Sequence, residues 1–212
     1  MKLTLIIVTL TVLTAIVAIL YLQFPAAEKA FQKDADVFRL RHLEYYGSLI
    51  EEYRDKTGKV PLQGNADVPI YVHIANDEQV AFTKNGPPQP HKVVSAAAFI
   101  ATLEAGLGRP IDEFYDPQFR PYKKPNFYIY MVTGNTYFFA VHVSQPFQFA
   151  KRIGDAYHKI EISNSANAQN GACDPKLLFD SQEFKFARDQ QVDKDRLFAE
   201  REKAYLHFTK QP

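Results

Sequence analysis

Two histidines in strand-like segments, His73 in Ile70-Tyr71-Val72-His73-Ile74 and His142 in Tyr137 to Val143, could do chemistry together if their strands lie side by side. A zinc site needs a third protein ligand, and none stands at matched spacing, so no metal and no cofactor are expected. Asp112, Glu113 and Asp116 could divide acid and base work if their surroundings separated their pKa values. On a proline-punctuated loop they are expected to be solvated, and they lack the alternating oxygen positions, glycine and late glutamate of a calcium loop. Ser95, Ser144 and Ser163 have no Gly-x-Ser-x-Gly context. Gly106-Leu107-Gly108 leaves a helix rather than opening one, so it does not read as a phosphate cradle. His42 falls on an apolar helical stripe and is expected as a satisfied core histidine. No catalytic residue is assigned; an enzyme here would have to assemble its site from distant residues such as His73, His142 and Asp116.

Two groups of residues suit binding instead. Arg120, Tyr122, Lys123 and Lys124, set among prolines, form a small basic and aromatic patch for an acidic partner. Tyr128, Tyr130 and Tyr137 share one side of a predicted hairpin. If C-terminal helices cover that side, the tyrosines are core; if not, their large, rigid rings make the best binding surface. Cys173 lies in the turn-like Asn170-Gly171-Ala172-Cys173-Asp174-Pro175 and has no second cysteine with which to pair.

The elements that must position these residues follow from periodicity. Phe31, Ala35, Phe38, His42, Tyr45, Leu49 and Tyr53 recur at steps of three and four. They predict a helix over 26–55, with Leu40, Leu43, Tyr46 and Ile50 widening its apolar arc enough to face a sheet. Pro25 fits its first turn, so the apolar run and this helix are expected to be nearly continuous with a kink at Pro25, and Gly58 with Pro61 ends the helix. Strands are expected at 70–74 and 80–83, and a helix capped by Ser95 over 96–105. A hairpin is expected from Phe127–Val132 and Tyr137–Val143 about Gly134-Asn135, with Val132 facing Tyr137 and Tyr130 facing Phe139. A further strand, 158–162, alternates and could form an edge. Helices are expected over 176–190 and 193–209. Both hairpin faces are apolar, so each needs a cover. The expected fold is α+β: the N-terminal helix on one face of a small antiparallel sheet and the C-terminal helices on the other.

Residues Leu3 to Leu22 carry no charge. Roughly 20 apolar helical residues cross a bilayer core of about 30 Å. The run is longer than the ~7–15 residues of a signal-peptide core, and Gln23-Phe24-Pro25-Ala26-Ala27 offers no clean small-x-small cleavage site. It is therefore expected to stay attached as a single-pass anchor over 1–24, with one domain over 25–212. Lys2 before the run places the N-terminus in the cytoplasm. The chain has 25 Lys and Arg against 24 Asp and Glu, so the remainder beyond Lys2 is formally neutral. That balance argues against nucleic-acid binding, which phosphate neutralisation drives. One cysteine and no Asn-x-Ser/Thr acceptor point toward a bacterial periplasm rather than a disulfide-stapled secreted domain.

The order of elements resembles that of type IV pilins and type II secretion pseudopilins: apolar run, amphipathic helix, Glu51-Glu52-Tyr53-Arg54-Asp55-Lys56-Thr57-Gly58-Lys59-Val60-Pro61, then Asp116-Pro117 before Phe127-Tyr128-Ile129-Tyr130. Pro25 stands near the outer end of the run, as that group tends to have it. The resemblance implies a structural component that assembles through its N-terminal helix. The chain departs from the group where Met1-Lys2 leads directly into Leu3, with no prepilin glycine and no glutamate inside the run. The expected function is thus a membrane-anchored, non-enzymatic envelope protein that binds another protein, for example an immunity or inhibitor protein against a toxin. The alternative is a pseudopilin-like component, with homo-oligomers formed through the N-terminal helix. Partners are then the lipid bilayer, through residues 3–22, and a protein.

Overall fold

The computed structural model describes residues 2–78, 81, 90–118, 125–155, 157–165, 172–190 and 192, with the backbone alone for 2–11, 15–27 and 172–173. One helix, α1, runs unbroken over Lys2–Thr57, 56 residues, or about 84 Å at 1.5 Å per residue. The apolar run and the amphipathic helix are thus continuous through Pro25, as expected. After α1 come β1 (Ile70–Ala75), β2 (Lys92–Val93), α2 (Ala96–Leu107), β3 (Phe127–Thr133), β4 (Thr136–Val143), β5 (Lys151–Ile153), β6 (Tyr157–Ser163), β7 (Ala172–Cys173), α3 (Pro175–Phe179) and α4 (Gln182–Asp189). The fold class is α+β. Ala81 is helical, its N–H bonded to Asp77 O at 3.1 Å, so no strand passes through it; the rest of the strand expected over 80–83 lies outside the described residues.

The sheet has the order β2–β1–β3–β4–β6–β5, with β7 beside β6. Neighbours are antiparallel except at β1–β2 and β6–β7, so the sheet is mixed. The β3–β4 hairpin has the predicted register, Val132 opposite Tyr137 and Tyr130 opposite Phe139. Gly134 supplies the positive φ (57°) that the first turn residue needs. β6 is not an edge, because β4 flanks it on one side and β5 and β7 on the other.

α1 packs on the sheet through the inner line of its arc. Leu40, Leu43, Tyr46 and Ile50 are at most 1% exposed, whereas Phe31, Phe38, Tyr45 and Tyr53 are half-buried. Tyr128, Tyr130, Val132, Tyr137, Phe139 and Val141 form the matching sheet face, all buried beneath the helices. α2 closes the same core with Phe99, Ile100 and Leu103, and Ser95 caps its start by accepting from Ala98 N.

The C-terminal helices correct an expectation. α3 and α4 pack beside α1, on the face that α1 already covers, rather than on the opposite one. Phe184 and Ala187, three apart on α4, are buried toward α1. Arg41 of α1 donates to the carbonyls of Ala187, Arg188 and Gln190, capping the end of α4. Arg188 in turn pairs with Glu44 of α1. These polar partners are spaced along α1 itself, which fixes the side on which the helices dock. The helix expected over 193–209 lies outside the described residues.

Gly47 lets this side close. A methyl group there would stand 2.8 Å from the Phe179 ring and closer still to the Ile162 side chain. Overpacking of this kind costs about 1–3 kcal/mol, and replacing a helical glycine returns about 1. Gly47→Ala is thus expected to lower stability by about 1 kcal/mol net, read as a lower denaturation midpoint with unchanged slope.

Among the described residues, no helix is long and apolar enough to cross a membrane. The run 3–22 falls almost wholly among those described by backbone alone; of its side chains, Val12 is 52% and Leu13 62% exposed.

Candidate functional site

Charged residues stand on the most buried line of α1. Asp36, Arg39, Leu43, Tyr46 and Ile50 follow one another at steps of three and four, and all five are 0% exposed. Arg39 grips Asp116 with both arms of its fork, Nε to Oδ2 and Nη2 to Oδ1, each at 2.8 Å. Its Nη1 donates to Asp36 Oδ1 at 2.7 Å. Burial by itself would lower the guanidinium pKa, but the Asp116 and Asp36 carboxylates outweigh it and the pKa is raised.

Each carboxylate also holds backbone. Asp36 accepts the N–H of Ser144 and of Gln145 at the end of β4, at 2.9 and 3.0 Å to Oδ2. Asp116 Oδ1 accepts the N–H of Gln118 at 2.8 Å. Gln32 Nε2 donates to Gln118 Oε1 at 2.9 Å, and Ser144 Oγ to Gln32 Oε1 at 3.0 Å. One guanidinium and two carboxylates thus join α1, the exit of β4 and the loop before β3. The cluster holds one more negative than positive charge, and its backbone N–H partners stabilise that excess.

The loop Arg109–Gln118 has no regular secondary structure and lies along α1. Ile111 N donates to Glu104 Oε1, Asp112 N to Tyr45 Oη, and Phe114 N to Tyr46 Oη, at 3.0, 3.1 and 2.8 Å. Tyr46 Oη donates back to Phe114 O at 2.9 Å. The Phe114 ring stacks on His42, with centroids 4.8 Å apart and planes 12° apart. His42 Nδ1 lies 2.6 Å from Tyr128 Oη, so one of the two is donor and the other acceptor. Burial lowers the His42 pKa to about 4; Arg39 and Arg41 add to that, and Asp116 opposes it. The ring is therefore neutral at pH 7. Burial raises the Tyr128 pKa well above its ordinary value.

The residues singled out by spacing are placed as follows. Tyr128, Tyr130 and Tyr137 are each 0% exposed, so they are core and not a binding surface. Among the described residues, α1 and α2 cover them. Their hydroxyls turn inward: Tyr130 to Pro61 O at 2.7 Å and Tyr137 to Glu51 Oε1 at 2.5 Å. Arg120, Tyr122, Lys123 and Lys124 lie outside the described residues. His73 and His142 do not meet, because β3 runs between their strands and the Phe127 ring separates them, at 4.7 Å from one and 5.5 Å from the other. Among the described residues no group of three or more His, Cys, Asp or Glu is placed to hold a metal. Asp112 and Glu113 are exposed, but Asp116 is buried and paired, against the expectation of a solvated trio.

Spacing missed Asp36, Arg39, Gln32 and Gln118. One signal for the first two was present: an acid and a base three apart on the buried line of a helix must be paired with something. Nothing in the sequence names Asp116 as that partner, 77 positions away. No family model matches this chain, and neither a curated protein nor a solved structure is found to match it.

Proposed function

We propose that this chain is a membrane-anchored, non-enzymatic envelope protein that presents an α+β domain for docking to another protein, such as an incoming toxin that it neutralises. The observation that carries this reading is α1: one helix holds both the uncharged run 3–22 and the line of side chains on which the domain is built. The long axis of the helix would then set the domain at a fixed height above the lipid. The buried cluster supports a structural role, since its charged groups are spent on one another and on backbone N–H groups. With Lys2 on the cytoplasmic side, the domain faces the periplasm of a bacterial cell.

Photo-crosslinking in intact cells tests the docking claim. Leu177 and Phe186, 72% and 58% exposed on α3 and α4, and Val93 on β2, 43% exposed, are suitable positions for the probe. A single recurring protein adduct from one of these positions is expected. Adducts to many abundant proteins in equal measure would count against docking.

A second reading, a pilin-like assembly component, draws on the same helix, through which copies of the chain would pack. It predicts multimers of the full chain in mild detergent that are lost when α1 is truncated. A full chain that remains monomeric in detergent argues against it.

A further inference from the structure

We propose that Arg109–Gln118 is an acid-released strap on α1, with His42 as the group whose protonation lets it go. The strap is poised for this because its hold on α1 is concentrated in a few side chains. Tyr45 and Tyr46 take two of its N–H groups, Arg39 takes Asp116, Gln32 takes Gln118, Glu52 pairs with Arg109 at its first residue, and the His42 ring carries Phe114 on its face. It has no helix or strand of its own to keep it in place.

Burial of the ring beneath Phe114 sets the direction, and the charges around His42 modify it. From α1, Arg39 and Arg41 face it; from the strap, Asp116; from β3, the Tyr128 hydroxyl. Asp116 is already committed to Arg39 through two hydrogen bonds, so it has little capacity left to pair with an imidazolium. A proton on His42 therefore adds a cation beside two arginines in a site 8% exposed. The open strap leaves His42 wet and readily charged. The closed strap requires it neutral. Its folded pKa is depressed, so the hold is complete above the ordinary 6.5 and weakens as pH falls toward about 4. The inference stands apart from the reading of α1 as an anchor, because it concerns the domain alone.

Hydrogen exchange of the full chain, followed by mass spectrometry and corrected for the intrinsic pH dependence of exchange, tests it. Between pH 7 and pH 4.5 the strap amides are expected to lose protection by about tenfold to fiftyfold, the upper figure being the linkage limit for the shift at His42. Peptides from β3 and β4 should keep theirs. His42→Phe keeps a ring against Phe114, and His42→Asn keeps a polar partner for Tyr128; each should flatten the strap's pH dependence. If neither variant folds, the His42 ring signals in NMR replace them, and their titration midpoint must coincide with strap release. The proposal is overturned by a strap protected down to pH 4.5, by loss in step with the whole domain, by variants that keep the pH dependence, or by a ring that titrates while the strap stays closed.

Discussion

Arg39→Met is expected to destabilise the folded chain by about 3–5 kcal/mol, the usual consequence of removing one partner of a buried ion pair. Methionine fills much of the same volume, so the loss is chiefly electrostatic. Two carboxylates, each 0% exposed, are left without their cation. Asp36 keeps the N–H groups of Ser144 and Gln145, and Asp116 keeps that of Gln118. Asp116 loses both arms of the guanidinium fork and Asp36 a single hydrogen bond, so Asp116 is the worse stranded. The double variant Arg39→Met, Asp116→Leu should recover part of the loss, because the carboxylate that Arg39 held with two hydrogen bonds has gone with its partner. Adding Asp36→Leu should not recover more, since it strips the acceptor from two backbone N–H groups. Urea denaturation followed by circular dichroism measures all three. A single variant within 1 kcal/mol of the native chain, or losses that simply add, would show that Arg39 does not join these elements.

Placing arginine at both Val12 and Leu13 is expected to detach the chain from membranes. These positions lie at the centre of the uncharged run, where each arginine costs about 2.5–3.5 kcal/mol in a membrane-spanning helix. Two together cost about 5–7 kcal/mol, enough to shift a partition by several powers of ten. Both side chains are more than half exposed, so the domain does not lean on them. The doubly substituted chain should keep the native chain's denaturation midpoint while moving from membrane pellet to supernatant. Retention in the pellet would mean that something other than 3–22 holds it there.

Much of the fold was legible in local pattern. The β3–β4 hairpin was, because a two-residue turn between aromatic and β-branched runs determines its own register. The buried arc of α1 was also legible, because four core positions repeat at the helical period. The side on which α3 and α4 dock was not. Their apolar residues suit either sheet face, and the choice was made by Arg41 and Glu44, whose partners lie about 145 residues on. The same limit hid the buried cluster. Asp116 looked like one of three loop acids, and only the arrival of Arg39 from α1 separates it from Asp112 and Glu113. His42 was readable as a core histidine from its stripe, but its place under Phe114 depends on the path of a loop with no periodicity at all. Tyr128, Tyr130 and Tyr137 could have been surface or core until their cover was known, and α1 and α2 supply it.

Alkaline extraction of membranes from cells making the full chain, combined with protease added to cells whose outer membrane has been opened, tests the reading of α1 most directly. The account predicts that the chain remains in the extracted pellet with its first residues intact, and that the protease removes the domain from the periplasmic side. A chain released by the alkaline wash, or one whose mature form begins after residue 24, would contradict it.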